Sequence, residues 1–196
     1  MPEEQKLDFE AITPYQAVSI ESTGQDIDQI STETIADWVH QMVQVEAPVH
    51  KQLIWIRLGA ILDPSQSATP KTGSKIANAV DQGIQLALSQ GKIRAVDEIR
   101  EDQEGNKRYY WFYYRTDTDL IPARNWELAS NRHRLLISDD ELESMARVLF
   151  GPVVRVEDME QATKQIWNAL SFDRVSQNMI DQTEPVLRKI VDFSST

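Results

Sequence analysis

The sequence predicts a mainly α-helical protein that carries one small β-hairpin. Apolar residues recur at helical spacing through most of residues 31–90, and two runs of strand-forming residues follow at 92–99 and 109–114. A second helical block begins near residue 138 and repeats the apolar spacing of the first. With 196 residues, the chain is long enough for one large domain or two small ones.

Residues 1–30 are predicted to form an extended lead-in, with one short strand at 15–20 where the apolar residues are concentrated. The first helix follows from Ser31 or Thr32, because either hydroxyl can cap it, and Pro48 ends it. A short extended piece then leads into a second helix, where His50 lies in the first turn and is expected to cap free backbone donors or to pack. The alternative for His50 is a role as a ligand or catalytic group.

The third predicted helix runs from Ser74 to Ser89, and Gly91 provides its stop. Gly105 and Asn106 supply turn chemistry between the two strand candidates that follow. Three helices and a hairpin, with a short extended piece after the first helix, form the element order of a winged helix, a variant of the helix-turn-helix unit. We therefore assign residues 31–115 to a winged-helix-like module.

Residues 116–137 are predicted to be a linker, and residues 138–196 to form a second module. Ser138 to Glu141 reads as a capping box at the start of its first helix. The apolar residues of that helix align on those of the first helix at an offset that places Leu142 on Ile35. We interpret the chain as tandem winged-helix-like modules, the second lacking a clear wing. The alternative is that any two amphipathic helices match at some offset.

The net charge of -11 is unevenly distributed. Residues 1–50 carry one Lys against ten acids, residues 51–134 carry thirteen basic residues against ten acids, and residues 135–196 carry six against eleven. Proteins that bind DNA mainly through its phosphates usually have a basic footprint, so only the middle segment offers a candidate patch, and its strength should be modest.

No recognisable apparatus for catalysis or metal binding is visible in the sequence. It has no cysteine, and its three histidines lack the spacing that puts two imidazoles on one helix face. The two carboxylate clusters, 139–141 and 157–158, fall in predicted first helical turns, where acids stabilise a helix. We expect no enzyme activity, no cofactor and no metal. Because the apolar runs are short, we also expect no membrane contact and a cytoplasmic location.

Several short motifs resemble a domain of unknown function at the C-terminal end of large bacterial superfamily I (Upf1-like) helicase-related proteins. The resemblance spans about residues 15–190. Its motifs are Glu46-Ala47-Pro48-Val49-His50, Leu53, Arg57, Gly73-Ser74-Lys75-Ile76, Ile121-Pro122-Ala123-Arg124 and Ala169-Leu170-Ser171-Phe172-Asp173-Arg174, with Ser171 where the family has Gly. The resemblance implies a winged-helix-like module that accompanies an ATP-driven motor in larger relatives. The motor's phosphate-binding loop is missing here, because Gly73 lacks the upstream glycine.

The candidate contact surface combines basic, polar and aromatic residues of the first module. An aromatic run on the second hairpin strand is the least ordinary feature, because alternate residues point to opposite faces and only one face can cover the core. The other face must meet another module, a partner or nucleic acid. The selected residues are Lys71, Ser74, Lys75, Asn78, Gln82, Lys92, Arg94, Lys107, Arg108, Tyr110, Trp111 and Phe112.

The sequence therefore predicts a non-enzymatic accessory module related to helicase C-terminal regions. It would contact DNA through the first module, or a partner protein such as a helicase. The alternative is a protein-interaction or oligomerisation module that binds no nucleic acid, which the net negative charge favours. The oligomeric state stays open.

Overall fold

The structure, a computed structural model, describes residues 12–63, 70–101, 105–127, 129, 133–151 and 159–190. These residues form a helix-rich fold with a small amount of sheet, so the mainly α prediction is confirmed. The helices are α1 (Thr32–Glu46), α2 (Lys51–Leu62), α3 (Lys75–Ser89), α4 (Asp139–Phe150), α5 (Met159–Ala169) and α6 (Gln177–Ile190). The strands are β1 (Thr13–Pro14), β2 (Val49–His50), β3 (Ile93–Glu101), β4 (Lys107–Arg115) and β5 (Arg124–Asn125).

The chain divides into two compact units. The N-terminal unit comprises the described parts of Gln16–Ile99 and Tyr109–Asp119. The C-terminal unit comprises the described parts of Met1–Tyr15, Arg100–Arg108 and Leu120–Thr196. The turn end of the hairpin thus belongs to the C-terminal unit, although the body of both strands belongs to the N-terminal one.

The N-terminal unit holds α1, β2, α2 and α3, followed by the body of the β3–β4 hairpin. Its sheet has the order β2-β4-β3, and β2 pairs antiparallel with β4 so that Val49 lies opposite Tyr113 and His50 opposite Phe112. The short extended piece predicted after the first helix is therefore a strand of this sheet.

Side-chain caps begin α1, α2 and α3. The hydroxyls of Ser31 and Ser74 accept hydrogen bonds from backbone N–H groups in the first turns of α1 and α3, at 3.1 and 3.2 Å. His50 caps α2 as predicted, since its Nδ1 accepts from the Gln52 N–H at 3.1 Å. Helix α1 then packs closely against α3, because Gly83 presents no side chain towards Ile35.

A buried carboxylate holds the extended lead-in against the helices. Glu46, fully buried at the end of α1, accepts hydrogen bonds from the Val18 N–H and from Arg57 Nη1. Arg57 also donates to the Val18 carbonyl at 2.7 Å. The strand predicted at 15–20 is wrong, because no residue of this segment lies in a strand. Glu46 and Arg57 bind the backbone N–H and carbonyl of Val18, and the Tyr15 N–H donates to the Asn125 carbonyl at 2.8 Å.

The C-terminal unit is built from α4, α5 and α6 together with a two-residue parallel pairing of β1 and β5. Part of the predicted linker is packed into this unit, because Trp126 is 1% exposed and Leu136 is 3% exposed. Helix α6 continues through Pro185. The carboxylate cluster 157–158 lies outside the described residues.

The candidate binding cleft

The aromatic run on β4 is buried at one end and exposed at the other. Phe112, Tyr113 and Tyr114 are 0–3% exposed, whereas Tyr109 is 60% and Trp111 is 44% exposed. The two-residue strand β2 lies beside Phe112 and Tyr113 only, so β4 extends past it towards the hairpin turn. The exposed aromatics are therefore the two odd-numbered residues nearest the turn.

One of the predicted contact residues, Phe112, is corrected by this arrangement. Phe112 is a core residue, because its ring is fully buried and packs edge-on against His50 with 5.0 Å between centroids. Tyr110 is half-buried and its ring lies 5.9 Å from that of His50. Neither ring is presented to solvent as Trp111 is.

Trp111 and Tyr109 line a cleft of about 430 Å³ in the N-terminal unit. The rest of its wall comes from the start of α2 and from the segment before α3. The lining residues, which we call the aromatic cleft, are His50, Lys51, Gln52, Trp55, Pro70, Lys71, Thr72, Tyr109 and Trp111. The volume lies within the usual range for small-ligand sites.

One carboxylate orients the α2 side of the aromatic cleft. Asp81 on α3 accepts a hydrogen bond from Trp55 Nε1 at 2.8 Å and pairs with the Lys51 ammonium at 2.9 Å. The same ammonium lies 4.8 Å from the centroid of the Trp55 ring, within range for a cation–π contact. One face of Trp55 is thus covered, and the charge of Lys51 is balanced.

Lys71 is the second cation of the aromatic cleft. It is exposed and, among the described residues, has no ion-pair partner. It belonged to the predicted patch, whereas Lys51, Trp55 and Tyr109 were not selected from the sequence. The available signal was the four-residue spacing of Lys51 and Trp55, which places both on one helix face.

The other predicted basic residues of the N-terminal unit contact acids of the same unit. Lys75 pairs with Asp28 of the lead-in, and Lys92 pairs with Asp37 on α1 at 2.7 Å. The Arg94 guanidinium pairs with Asp119 at 3.2 Å and lies 4.6 Å from the Tyr114 ring centroid. These exposed pairs add little stability, but they reduce the positive charge that the surface presents.

The polar residues predicted on α3 do not line the aromatic cleft. The Ser74 hydroxyl serves as the α3 cap, and the Asn78 side chain donates to the Gly73 carbonyl at 3.3 Å. Gln82 is exposed on α3. Lys107 and Arg108 are exposed on the hairpin segment that belongs to the C-terminal unit. Of the α3-side candidates, only Lys71 is brought together with the exposed aromatics.

The aromatic cleft can bind planar and anionic groups without covalent chemistry. Its walls offer ring faces and one unbalanced ammonium group, and the described residues hold no cluster of three or more potential metal ligands. None of the helices over the described ranges is long and apolar enough to cross a bilayer.

In comparisons with known proteins, no family model, no curated protein and no solved structure matches this chain.

Proposed function

We propose that this chain is a non-enzymatic accessory module that contacts nucleic acid through a winged-helix-like N-terminal unit. The observation that carries the proposal is the aromatic cleft, in which Trp111 and Tyr109 are exposed beside Lys71. Exposed aromatic rings beside a cation are the combination with which proteins hold nucleic-acid strands, because rings stack on bases and ammonium groups contact phosphates.

The element order of the N-terminal unit supports the winged-helix assignment. A helix, a short strand, two further helices and a hairpin follow one another, and the short strand joins the sheet next to β4. In the C-terminal unit, the aligned α4 residues Leu142 and Met145 are buried, as are Ile35 and Trp38 of α1. We propose on this basis that the two units are tandem modules, the second without a wing, as in the helicase-associated domain that the motifs resemble.

The contact mode we propose differs from major-groove reading by the third helix. Lys75 at the start of α3 is paired with Asp28, and the N-terminal unit carries seven basic residues against twelve acidic ones. Binding through many phosphates is therefore disfavoured. Affinity would come mainly from the aromatic cleft, with Lys71 as the main cationic contact.

The test is fluorescence anisotropy of labelled single- and double-stranded DNA with the full chain across a salt series. We expect binding at micromolar protein, with a shallow dependence on salt because few phosphates are neutralised. Lys71→Glu should weaken binding, whereas Lys164→Glu, on α5 of the C-terminal unit, should not. Failure to bind either DNA at low salt would overturn the proposal.

A protein-interaction module is the second candidate, and the excess of acids in the N-terminal unit favours it. Trp and Tyr are also the residues most often found at the energetic centres of protein interfaces. The two candidates separate in the same titration, since only the first requires DNA to bind.

A further inference from the structure

We propose that the aromatic cleft captures an unpaired base of a single-stranded nucleic acid, with Lys71 contacting a neighbouring phosphate. This inference rests on the proposed function and names the form of nucleic acid that the site would take. A second copy of the chain or a partner protein would be a different occupant, and the experiment below excludes it as the explanation of binding.

The first argument is the exposure of two adjacent aromatic rings on one face of a strand. Trp111 and Tyr109 are two residues apart on β4, so their side chains project to the same side. The next residue on that side, Tyr113, is buried at 3% exposed. On this side of β4, Tyr113 is therefore covered, whereas Trp111 and Tyr109 are open and both line the aromatic cleft.

The second argument concerns which ring faces are available. The Lys51 ammonium lies over the Trp55 ring, and Asp81 holds both side chains in place. Trp55 is thus a fixed wall of the cleft, while Trp111 and Tyr109 are the rings on which a base would stack. Stacking surfaces of this kind tolerate any base, because every base has a π-face.

The third argument distinguishes an unpaired base from a duplex. In a duplex both faces of each internal base are covered by its neighbours, so a wall of aromatic rings has nothing to stack on unless a base is extruded. Extrusion costs a few kcal/mol, and that cost is absent in a single strand. The cleft volume of about 430 Å³ can accommodate a single base with part of its sugar and phosphate.

Charge complementarity selects an anionic ligand over a neutral or cationic aromatic one. Lys51 is balanced by Asp81, so the net contribution of that pair is small. Lys71 is exposed and adds one further positive charge to the cleft. A base attached to a phosphate satisfies both the rings and this ammonium group.

The experiment compares three probes of similar length with the full chain: oligothymidylate, an abasic strand with the same phosphates, and a DNA duplex. Anisotropy gives the affinities. Tryptophan fluorescence gives a second readout, because Trp38, Trp126 and Trp167 are 0–7% exposed and a base in the cleft would quench only the two tryptophans that line it, Trp55 and Trp111. We expect oligothymidylate to bind and quench, and the other two probes to bind at least roughly tenfold more weakly.

Variants locate the binding in the cleft. Trp111→Ala should weaken oligothymidylate binding by roughly 5- to 150-fold, which corresponds to the loss of one stacked base. Trp111→Phe should retain part of the affinity because a ring remains. The matched control is Ile99→Ala, which shortens another exposed apolar residue of the hairpin, 54% exposed on β3. Circular dichroism of each variant checks that the fold is intact.

The outcomes separate this inference from the proposed function. If all three probes bind equally and Trp111→Ala has no effect, nucleic-acid binding stands and base capture is overturned. If no probe binds, the proposed function and this inference both fail, and a protein partner becomes the occupant to seek. Selective binding of oligothymidylate that is lost in Trp111→Ala and kept in Ile99→Ala supports the inference.

Discussion

Arg124 and Glu141 form an ion pair inside the C-terminal unit. Arg124 Nε donates to Glu141 Oε1 at 3.0 Å, and the two residues are 4% and 0% exposed. The same oxygen accepts a hydrogen bond from Trp126 Nε1 at 2.7 Å. Tyr15 stacks on Trp126 with 4.3 Å between ring centroids. The pair therefore connects the strand β5 to the first turn of α4.

Breaking this pair from one side should strongly destabilise the C-terminal unit. Arg124→Met leaves the Glu141 carboxylate buried without its counter-charge, so we expect the free energy of unfolding to fall by about 3–5 kcal/mol. Urea denaturation of the native chain and the variant measures this free energy. Replacing both partners, in Arg124→Met with Glu141→Leu, should restore much of the loss, because no uncompensated charge remains. A loss below about 1 kcal/mol in the single variant would contradict the role we assign to the pair.

Gly83 is the point of closest approach between α3 and α1. A Cβ atom at this position would lie 2.5 Å from Ile35 Cγ2 and 3.2 Å from the Ala36 backbone nitrogen. Gly83→Ala gains about 1 kcal/mol of helix propensity, but the overlap costs typically about 1–3 kcal/mol, and the β-branched Ile35 has little freedom to move. We expect net destabilisation in thermal unfolding. Gln85→Ala, at an exposed position of the same helix, is the control and should be neutral or slightly stabilising. If Gly83→Ala were more stable than the native chain, α1 and α3 could move apart at no cost, which would contradict this prediction.

Tyr113 should make the stability of the N-terminal unit sensitive to alkaline pH. Burial, and to a lesser degree the nearby Asp81 carboxylate, raise the pKa of the Tyr113 hydroxyl well above its ordinary value of about 10. The folded state holds this proton more tightly than the unfolded state. The stabilisation that Tyr113 contributes to the folded state is therefore complete below about pH 10, and it is lost as the pH rises towards the pKa of the folded state.

The comparison is between the native chain and Tyr113→Phe in urea denaturation at about pH 9 and about pH 11. Between these two pH values, the free energy of unfolding of the native chain should fall by about 1.4 kcal/mol more than that of Tyr113→Phe, as expected for a single tyrosine with a raised pKa. Equal losses would mean that Tyr113 ionises at its ordinary pKa in the folded chain. Asp81→Asn, which removes the lesser cause, should reduce the difference only slightly.

Local signals in the sequence were enough to locate the helices. Ser31 and His50 were predicted as caps, because a hydroxyl or imidazole before an apolar period has a short-range partner in the next turn, and both act as caps. Ser74 was predicted as the first residue of the third helix, and its hydroxyl caps that helix. The capping box at Ser138 is confirmed in one half: its hydroxyl accepts from the Glu141 N–H at 3.1 Å. The Glu141 carboxylate was expected to stabilise the first turn of its own helix. Instead it accepts hydrogen bonds from Arg124 and Trp126.

The candidate binding surface was predicted only in part. Lys71 and Trp111 were selected, yet the Lys51 and Trp55 wall was missed because it comes from α2, which has apolar residues on every side and no polar stripe to orient it. Phe112 was selected as a contact residue, but it lies in the core. Which of the rings on β4 are covered depends on the elements packed around the strand, and no pattern within β4 carries that information.

By itself, the sequence determined the helix positions, the hairpin, the charge distribution and the absence of any thiol chemistry, because each depends on residue type and on spacing within about one or two turns. Tertiary structure decided which charges stand unbalanced and which rings are open to solvent. Lys75, Lys92 and Arg94 meet acids far away in the chain, at Asp28, Asp37 and Asp119. Such pairs form only when distant segments are packed together, so the exposed aromatics beside Lys71 emerge from the folded chain and not from any single motif.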